Sequence, residues 1–199
     1  MRREPWKLKD VVMMAILGVL FAVVYMAVFY GGTAISVALT PLGLSAFGFE
    51  LIYGVWFMAA YIIRKPGAAL ITEVLASAIE LLMGNSGGAT VVLTGFIQGV
   101  GCELGFAVFR YRKYNLLSMA LSGVFAAVCI FCYELYYLSY YLLAPTMLAA
   151  QLAVRFASAV VFSGVIAKLA CDGLARTGVL RSYAVGARLA PVSIDDEEE

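Results

Sequence analysis

Apolar residues run along this chain in blocks too long and too uniform to be one face of a soluble helix. Six blocks stand out, at residues 11–30, 48–63, 67–83, 91–109, 116–142 and 146–175. About 20 residues of helix, rising ~1.5 Å each, cross the ~30 Å hydrocarbon layer of a bilayer. The pattern therefore predicts an all-α integral membrane protein with six transmembrane helices in a single domain over residues 1–199. The second block is short, so its helix is expected to tilt or to begin before Gly48.

The connections between blocks alternate in charge. Arg2, Arg3, Lys7 and Lys9 precede the first block, Arg64 and Lys65 join the second to the third, and Arg110, Arg112 and Lys113 join the fourth to the fifth. Arg176, Arg181 and Arg188 follow the sixth, whereas residues 31–47, 84–90 and 143–145 contain no Lys or Arg. Basic connections stay on the cytoplasmic side, so both termini, residues 1–10 and the acidic tail 182–199, are expected there. The long outer connection 31–47 is rich in Gly, Ser, Thr and Pro. It reads either as a disordered link or as an apolar lid over an outward-facing pocket.

Composition agrees: 63% of the 199 residues are hydrophobic and 14% are charged. The net charge of +1 carries no message about partners, because the charges are segregated along the chain. The first apolar run is too long for a cleavable signal and lacks a small-residue cleavage site, so Met1 is expected in the mature chain. There is no histidine, which removes the usual general base and the commonest metal ligand. The four cysteines, Cys102, Cys129, Cys132 and Cys171, lie inside apolar runs and read as packing residues; no metal site is expected.

The stretch from Arg64 to Asn85 changes the picture most. Pro66 fits the first turn of a helix and Gly84-Asn85 fits its stop. Between them sit Glu73 and Glu80, seven residues apart and nearly on one face. Carboxylates at membrane depth rarely face lipid, so this helix must turn them toward protein or a wet cavity. Depth along the blocks sorts the polar residues into two layers. Glu50, Glu80, Glu134 and Arg155 lie toward the outside, with Asn85 at a helix end and Gln98 near mid-depth. Glu73, Glu103, Lys168 and Asp172 lie toward the cytoplasm and read as structural ion pairs, with Lys168 and Asp172 one turn apart. In the outer layer three carboxylates face one arginine, which leaves negative charge unmatched. Tyr53 and Trp56 follow Glu50, and Tyr137 belongs to a group of tyrosines ending the fifth block. Several of those tyrosines fit an interfacial belt. Carboxylates beside aromatic faces suit a flat, cationic heteroaromatic ligand.

Other motifs are missing. No Gly-x-x-x-x-Gly-Lys-Ser/Thr loop exists, so the chain is not itself an ATPase of that kind. Gly99, Gly101 and Gly105 read as sites of close helix packing rather than as a nucleotide fingerprint. Ala15, Gly18 and Ala22 form a small-residue stripe on the first helix that offers a flat surface to a partner's helix. No repeat relates the two halves, which argues against an inverted-repeat carrier.

Trp6-Lys-Leu-Lys-Asp10, Phe21-Ala-Val-Val-Tyr25, Glu50-Leu-Ile-Tyr-Gly-Val-Trp-Phe57 and Arg64-Lys-Pro-Gly-Ala-Ala69 together resemble the YkoE family. The likeness continues through Glu80, Gly84-Asn85, Gln98-Gly-Val-Gly-Cys-Glu103 and Thr177-Gly-Val-Leu180. Members of this family are the substrate-capturing S components of energy-coupling factor (ECF) transporters for thiamine or its hydroxymethylpyrimidine precursor. The resemblance implies a prokaryotic plasma-membrane subunit with no cofactor, a ligand pocket toward the outside, and no catalysis of its own. It also implies partners: a transmembrane coupling protein, docked on small residues of the first helix, and two ATPase subunits, with no nucleic acid. Glu50, Glu80 and Glu134 are then the expected counter-ions or ring partners, Tyr53, Trp56 and Tyr137 the aromatic surfaces, and Asn85 and Gln98 the neutral hydrogen-bonding groups. Lacking histidine near its aromatics, the chain departs from the other thiamine-binding group of S components. Two alternatives stay open at this level: an intramembrane lipid-modifying transferase using Glu73 and Glu103, and an autonomous ion-coupled carrier.

Overall fold

The structure, a computed structural model, describes residues 5–42, 44, 58–183 and 185–186. Seven α-helices make up most of it: α1 (Leu8–Leu39), α2 (Met58–Ile63), α3 (Ala68–Leu82), α4 (Thr90–Val108), α5 (Leu116–Tyr137), α6 (Pro145–Ala159) and α7 (Ala167–Arg176). A π-helical segment, Val160–Ile166, joins α6 to α7, so Pro145–Arg176 forms one 32-residue rod. Among the described residues there is no strand. Four helices there are long and apolar enough to cross a membrane: Leu8–Leu42, Thr90–Val108, Leu116–Tyr137 and Pro145–Arg176. Of the block expected at 48–63, only its end, α2, lies within the described residues.

Local sequence explains where α3 stops. Gly84, at φ 85°, takes the left-handed position after α3; its N–H bonds Leu81 O, and the Asn85 N–H bonds Glu80 O. That pair of bonds is a Schellman cap, which satisfies carbonyls the helix end would otherwise leave open. At the other end the expectation needs correcting. Pro66 lies in the turn before α3, because Gly67 at φ 89° starts the helix at Ala68.

The connection expected at 31–47 also begins later than its composition suggests, since α1 carries on to Leu39 and ends in a short 3₁₀ turn, Thr40–Leu42. Gly31 and Gly32 weaken a helix by about 1 kcal/mol each relative to Ala, too little to end an otherwise apolar run. Thr33 and Thr40 keep their hydroxyls satisfied inside it, donating to Phe29 O and Ser36 O.

Helices pack in a simple order: α1 on α3, α3 on α4, α4 on α5, and α5 on the π segment. Described residues of α2 touch α1, α3 and α7, and all six are buried. The glycines of α4 permit the closest approaches, as expected. A Cβ on Gly105 would lie 2.3 Å from Ser122 Cα, and one on Gly101 would lie 2.5 Å from Ala126 Cα. On the opposite face of α4, Gly95 meets Ser77, while Gly99 meets Leu70 and Glu73. Two of the three residues read as a docking stripe on α1 are internal instead. Gly18 and Ala22 are buried, and a Cβ on Gly18 would sit 3.1 Å from Leu75 Cδ2 of α3, so their small size serves α1–α3 packing. Ala15 faces outward with Val12, Ile16, Val19 and Val23.

The basic connections gather at one end of the bundle. Lys65 there bonds Asp10 at 2.7 Å and Pro5 O at 2.8 Å. Lys9 Nζ reaches Ser182 O, and the Tyr183 hydroxyl donates to Lys9 O. Arg64 lies over the rings of Tyr61 and Tyr114, at 5.4 and 5.3 Å from their centroids. Chain start, α2–α3 turn, α4–α5 turn and the segment after α7 are thus tied together.

Candidate functional site

Among the described residues, the carboxylates at the basic end are all held by protein donors. Asp10 accepts from Lys65 and from the Lys7 N–H. Lys168 pairs with Asp172, which also accepts from the Tyr61 hydroxyl at 3.1 Å. Glu103 caps α3 from the side: one oxygen accepts from the Ala69 and Leu70 N–H groups at 2.9 and 3.4 Å, and the other from the Tyr111 hydroxyl at 2.8 Å. Gly67, with no side chain of its own, leaves the start of α3 needing such an acceptor. Burial and the Glu103 acceptor together hold the Tyr111 phenol above its ordinary range. The expected Lys168–Asp172 pair is present. Glu103, however, meets backbone rather than a cation, and Glu73 is not at this end's service at all.

Glu73 turns into a cleft between α1, α3 and α4. Among the described residues the cleft is lined by Tyr25 of α1, by Glu73, Ser77 and Glu80 of α3, and by Val91, Thr94, Gly95 and Gln98 of α4. The spacing explains the set. Residues 73, 77 and 80 share one face of α3, and 91, 94, 95 and 98 share one face of α4. Where the two stripes meet, Gly95 lets α4 come so close that a Cβ there would lie 2.4 Å from Ser77 Oγ. The two residues are separated by about 10 Å of rise along α3, at ~1.5 Å per residue. Glu73 and Glu80 are 8% and 5% exposed, and no donor among the described residues reaches either one. The cleft is partly open, and the space between its walls comes to about 180 Å³ with open solvent included.

Glu80 and Gln98, both expected from the sequence, line this cleft. Asn85 is buried just beyond the Schellman turn. Its Oδ1 accepts from the Gly87 N–H, and its Nδ2 has no partner among the described residues. Glu134 does not line this cleft; it is paired at 2.6 Å with Arg155, whose guanidinium lies over Phe131. Tyr137 is exposed and stacks on Tyr133 at 5.1 Å. Glu50, Tyr53 and Trp56 lie outside the described residues. Tyr25, Ser77 and Thr94 are cleft residues that depth-sorting of charges passed over. Their spacing held a signal: Ser77 lies between Glu73 and Glu80 on one helical face, and Thr94 lies one turn before Gln98. The pair a transferase would need is divided, Glu103 holding the start of α3 while Glu73 faces the cleft. Among the described residues no group of three or more His, Cys, Asp or Glu is placed to hold a metal ion.

Known proteins share this architecture. The family described as ABC-type cobalt transport system, permease component, matches residues 9–129. The HMP/thiamine permease protein YkoE of Bacillus subtilis (strain 168) is 37% identical over 190 residues, covering 94% of this chain and 93% of that protein. A solved structure described as an S-component of an ECF transporter superposes with a TM-score of 0.87 at 36% identity, over 93% of each chain. Fold, length and sequence therefore agree on a multi-pass membrane subunit of a transporter rather than an enzyme. The chain belongs to the YkoE family, the substrate-capturing S components of ECF transporters.

Proposed function

We propose that this subunit captures thiamine or its hydroxymethylpyrimidine precursor from outside the cell and hands it to a transmembrane coupling protein driven by two ATPase subunits. The cleft carries the reading. Two buried carboxylates face a small polar space, and no cationic side chain among the described residues enters it. Burying ionised carboxylates without donors is costly, so such a pair either takes up protons or favours a donor-rich or positively charged guest, and the second is the reading adopted here. The relative in Bacillus subtilis, named as an HMP/thiamine permease, supports the choice of guest. Glu80 and Gln98 are then ligand-facing, and Asn85 stands at the rim. Glu50, Tyr53, Trp56, Glu134 and Tyr137 remain candidates for the rest of the pocket. The alternation of basic and uncharged connections supports six spans with both termini in the cytoplasm.

Calorimetric titration of the detergent-purified chain, without ATP, tests this directly. The isolated subunit is expected to bind thiamine and the pyrimidine alcohol, and Glu80→Gln to weaken thiamine binding at least tenfold. An isolated chain that binds neither ligand rules the capture role out.

A further inference from the structure

Beyond the described residues lies an unbroken run of carboxylates, Asp195-Asp-Glu-Glu-Glu199. The chain leading toward it is firmly seated at the basic end of the bundle. Leu180, Tyr183 and Val185 are buried there in the main core cluster. The Tyr183 hydroxyl donates to Lys9 O at 2.7 Å, and Lys9 Nζ donates to Ser182 O at 2.6 Å while lying over the Tyr183 ring. The acidic run is therefore tethered to a fixed point. From Gly186 to Asp195 the chain advances nine residues, which at ~3.3 Å each reach about 30 Å. That is about three helix diameters at ~10 Å each, enough to cross the end of the bundle.

Opposite charge is in excess at that end. Asp10, Glu103 and Asp172 are already engaged by Lys65, by backbone with Tyr111, and by Lys168 with Tyr61. Arg110, Lys113, Arg176 and Arg181 are exposed and meet no carboxylate among the described residues. The α4–α5 turn adds a second observation. Arg110 and Tyr111 both sit in the left-handed region, at φ 51° and 57°, where a side chain carries a steric cost that glycine avoids. The bond to Glu103 accounts for Tyr111; no contact among the described residues accounts for an arginine at 110. Tyr111 and Tyr114 pack against the same core cluster as Leu180, Tyr183 and Val185, so this turn and the tether are neighbours. We propose that the acidic run 195–199 folds back onto the basic rim formed by Arg110, Lys113, Arg176 and Arg181, and covers it in cis. One exposed ion pair is weak. Five carboxylates on a short tether act together, at a local concentration on the order of millimolar. Any other anionic group, a phospholipid headgroup above all, must displace the run to reach the rim.

Carbodiimide cross-linking of the full chain tests this, since it joins a carboxylate to a lysine amine with loss of water and no spacer, and so links only groups in contact. In phosphatidylcholine bilayer discs at about 0.15 M salt, peptide mapping is expected to find residues 195–199 joined to Lys113 in monomeric protein. Raising the salt to about 1 M, where the screening length shrinks from ~8 to ~3 Å, is expected to cut that yield about fivefold or more. Neutralising the run, with Asp195→Asn, Asp196→Asn, Glu197→Gln, Glu198→Gln and Glu199→Gln together, is expected to quicken hydrogen exchange in the α4–α5 turn severalfold at the lower salt. At the higher salt the two proteins should exchange alike. No link to Lys113 in the unaltered chain, or a yield indifferent to salt, overturns the proposal without any variant having to fold. Equal exchange in the turn with and without the acidic charges overturns it as well. So does a link that forms in phosphatidylcholine but vanishes in discs containing phosphatidylglycerol, because lipid headgroups and not the acidic run then occupy the rim.

Discussion

Two regions of this protein bury carboxylates and treat them in opposite ways. At the basic end Asp10, Glu103 and Asp172 are each matched by donors within the fold: Lys65 and a backbone N–H, two backbone N–H groups and a phenol, and Lys168 with Tyr61. In the cleft Glu73 and Glu80 receive none from the described residues. The first arrangement is what stability selects, since a buried acceptor left without donors costs about 1–3 kcal/mol or more when charged. The second persists only where the carboxyls take up a proton or where something outside the chain completes them. Asp10 is as buried as the two cleft acids, whereas Glu103 and Asp172 are half-buried, so what separates Asp10 from Glu73 and Glu80 is the set of partners each one meets.

That contrast can be broken most forcefully at Asp10. Asp10→Asn leaves Lys65 without its counter-charge and is expected to lower stability by about 3 kcal/mol, near the lower end for breaking a buried ion pair. A thermal melt in detergent reads this loss, with the affinity for thiamine unchanged in protein that remains folded. Glu80→Gln should do the reverse. A neutral amide is easier to bury than a carboxylate, so the melting midpoint should hold or rise while thiamine affinity falls at least tenfold, about 1.4 kcal/mol. Should both substitutions depress the midpoint alike, the cleft carboxylates are structural after all.

Glu103→Gln sharpens the comparison on a smaller scale. It weakens the cap on α3 and the Tyr111 bond together, for an expected loss of about 1 kcal/mol, typical of a helix cap. Because α3 also carries the cleft acids, hydrogen exchange should quicken in its first turn but not around Glu80. Lys168→Met is expected to matter least, about 0.5 kcal/mol, since the ion pair is part-exposed. On α1 the inward and outward faces give their own contrast. Gly18→Leu must displace Leu75, an overpacking worth about 1–3 kcal/mol. Ala15→Leu lies on the outward face, so it should leave ligand binding by the isolated subunit unchanged. If α1 docks on a coupling protein through that face, only uptake by the assembled transporter should fall.

Much of this was legible in one dimension. Long apolar blocks with alternating basic connections define a multi-pass helical membrane protein, because a bilayer admits few other arrangements of so hydrophobic a chain. The stop at Gly84-Asn85 was equally readable, since a left-handed residue there is a local property of glycine. So was the placing of Glu80 toward a cavity, because lipid cannot solvate it. The glycines of α4 announced close packing, although not their partners.

Only the tertiary structure could decide which acid met which donor. Position along a helix gives depth but not azimuth relative to neighbours, so Glu73 and Glu103 looked equivalent and proved opposite, one open to the cleft and one capping α3. For the same reason Gly18 and Ala22 turned inward against α3 while Ala15 faced out. Hydrophobicity fixes that these helices cross a membrane. The side chains that interlock between them fix how each is rotated, and with that rotation which acids are matched within the fold and which face an open cleft.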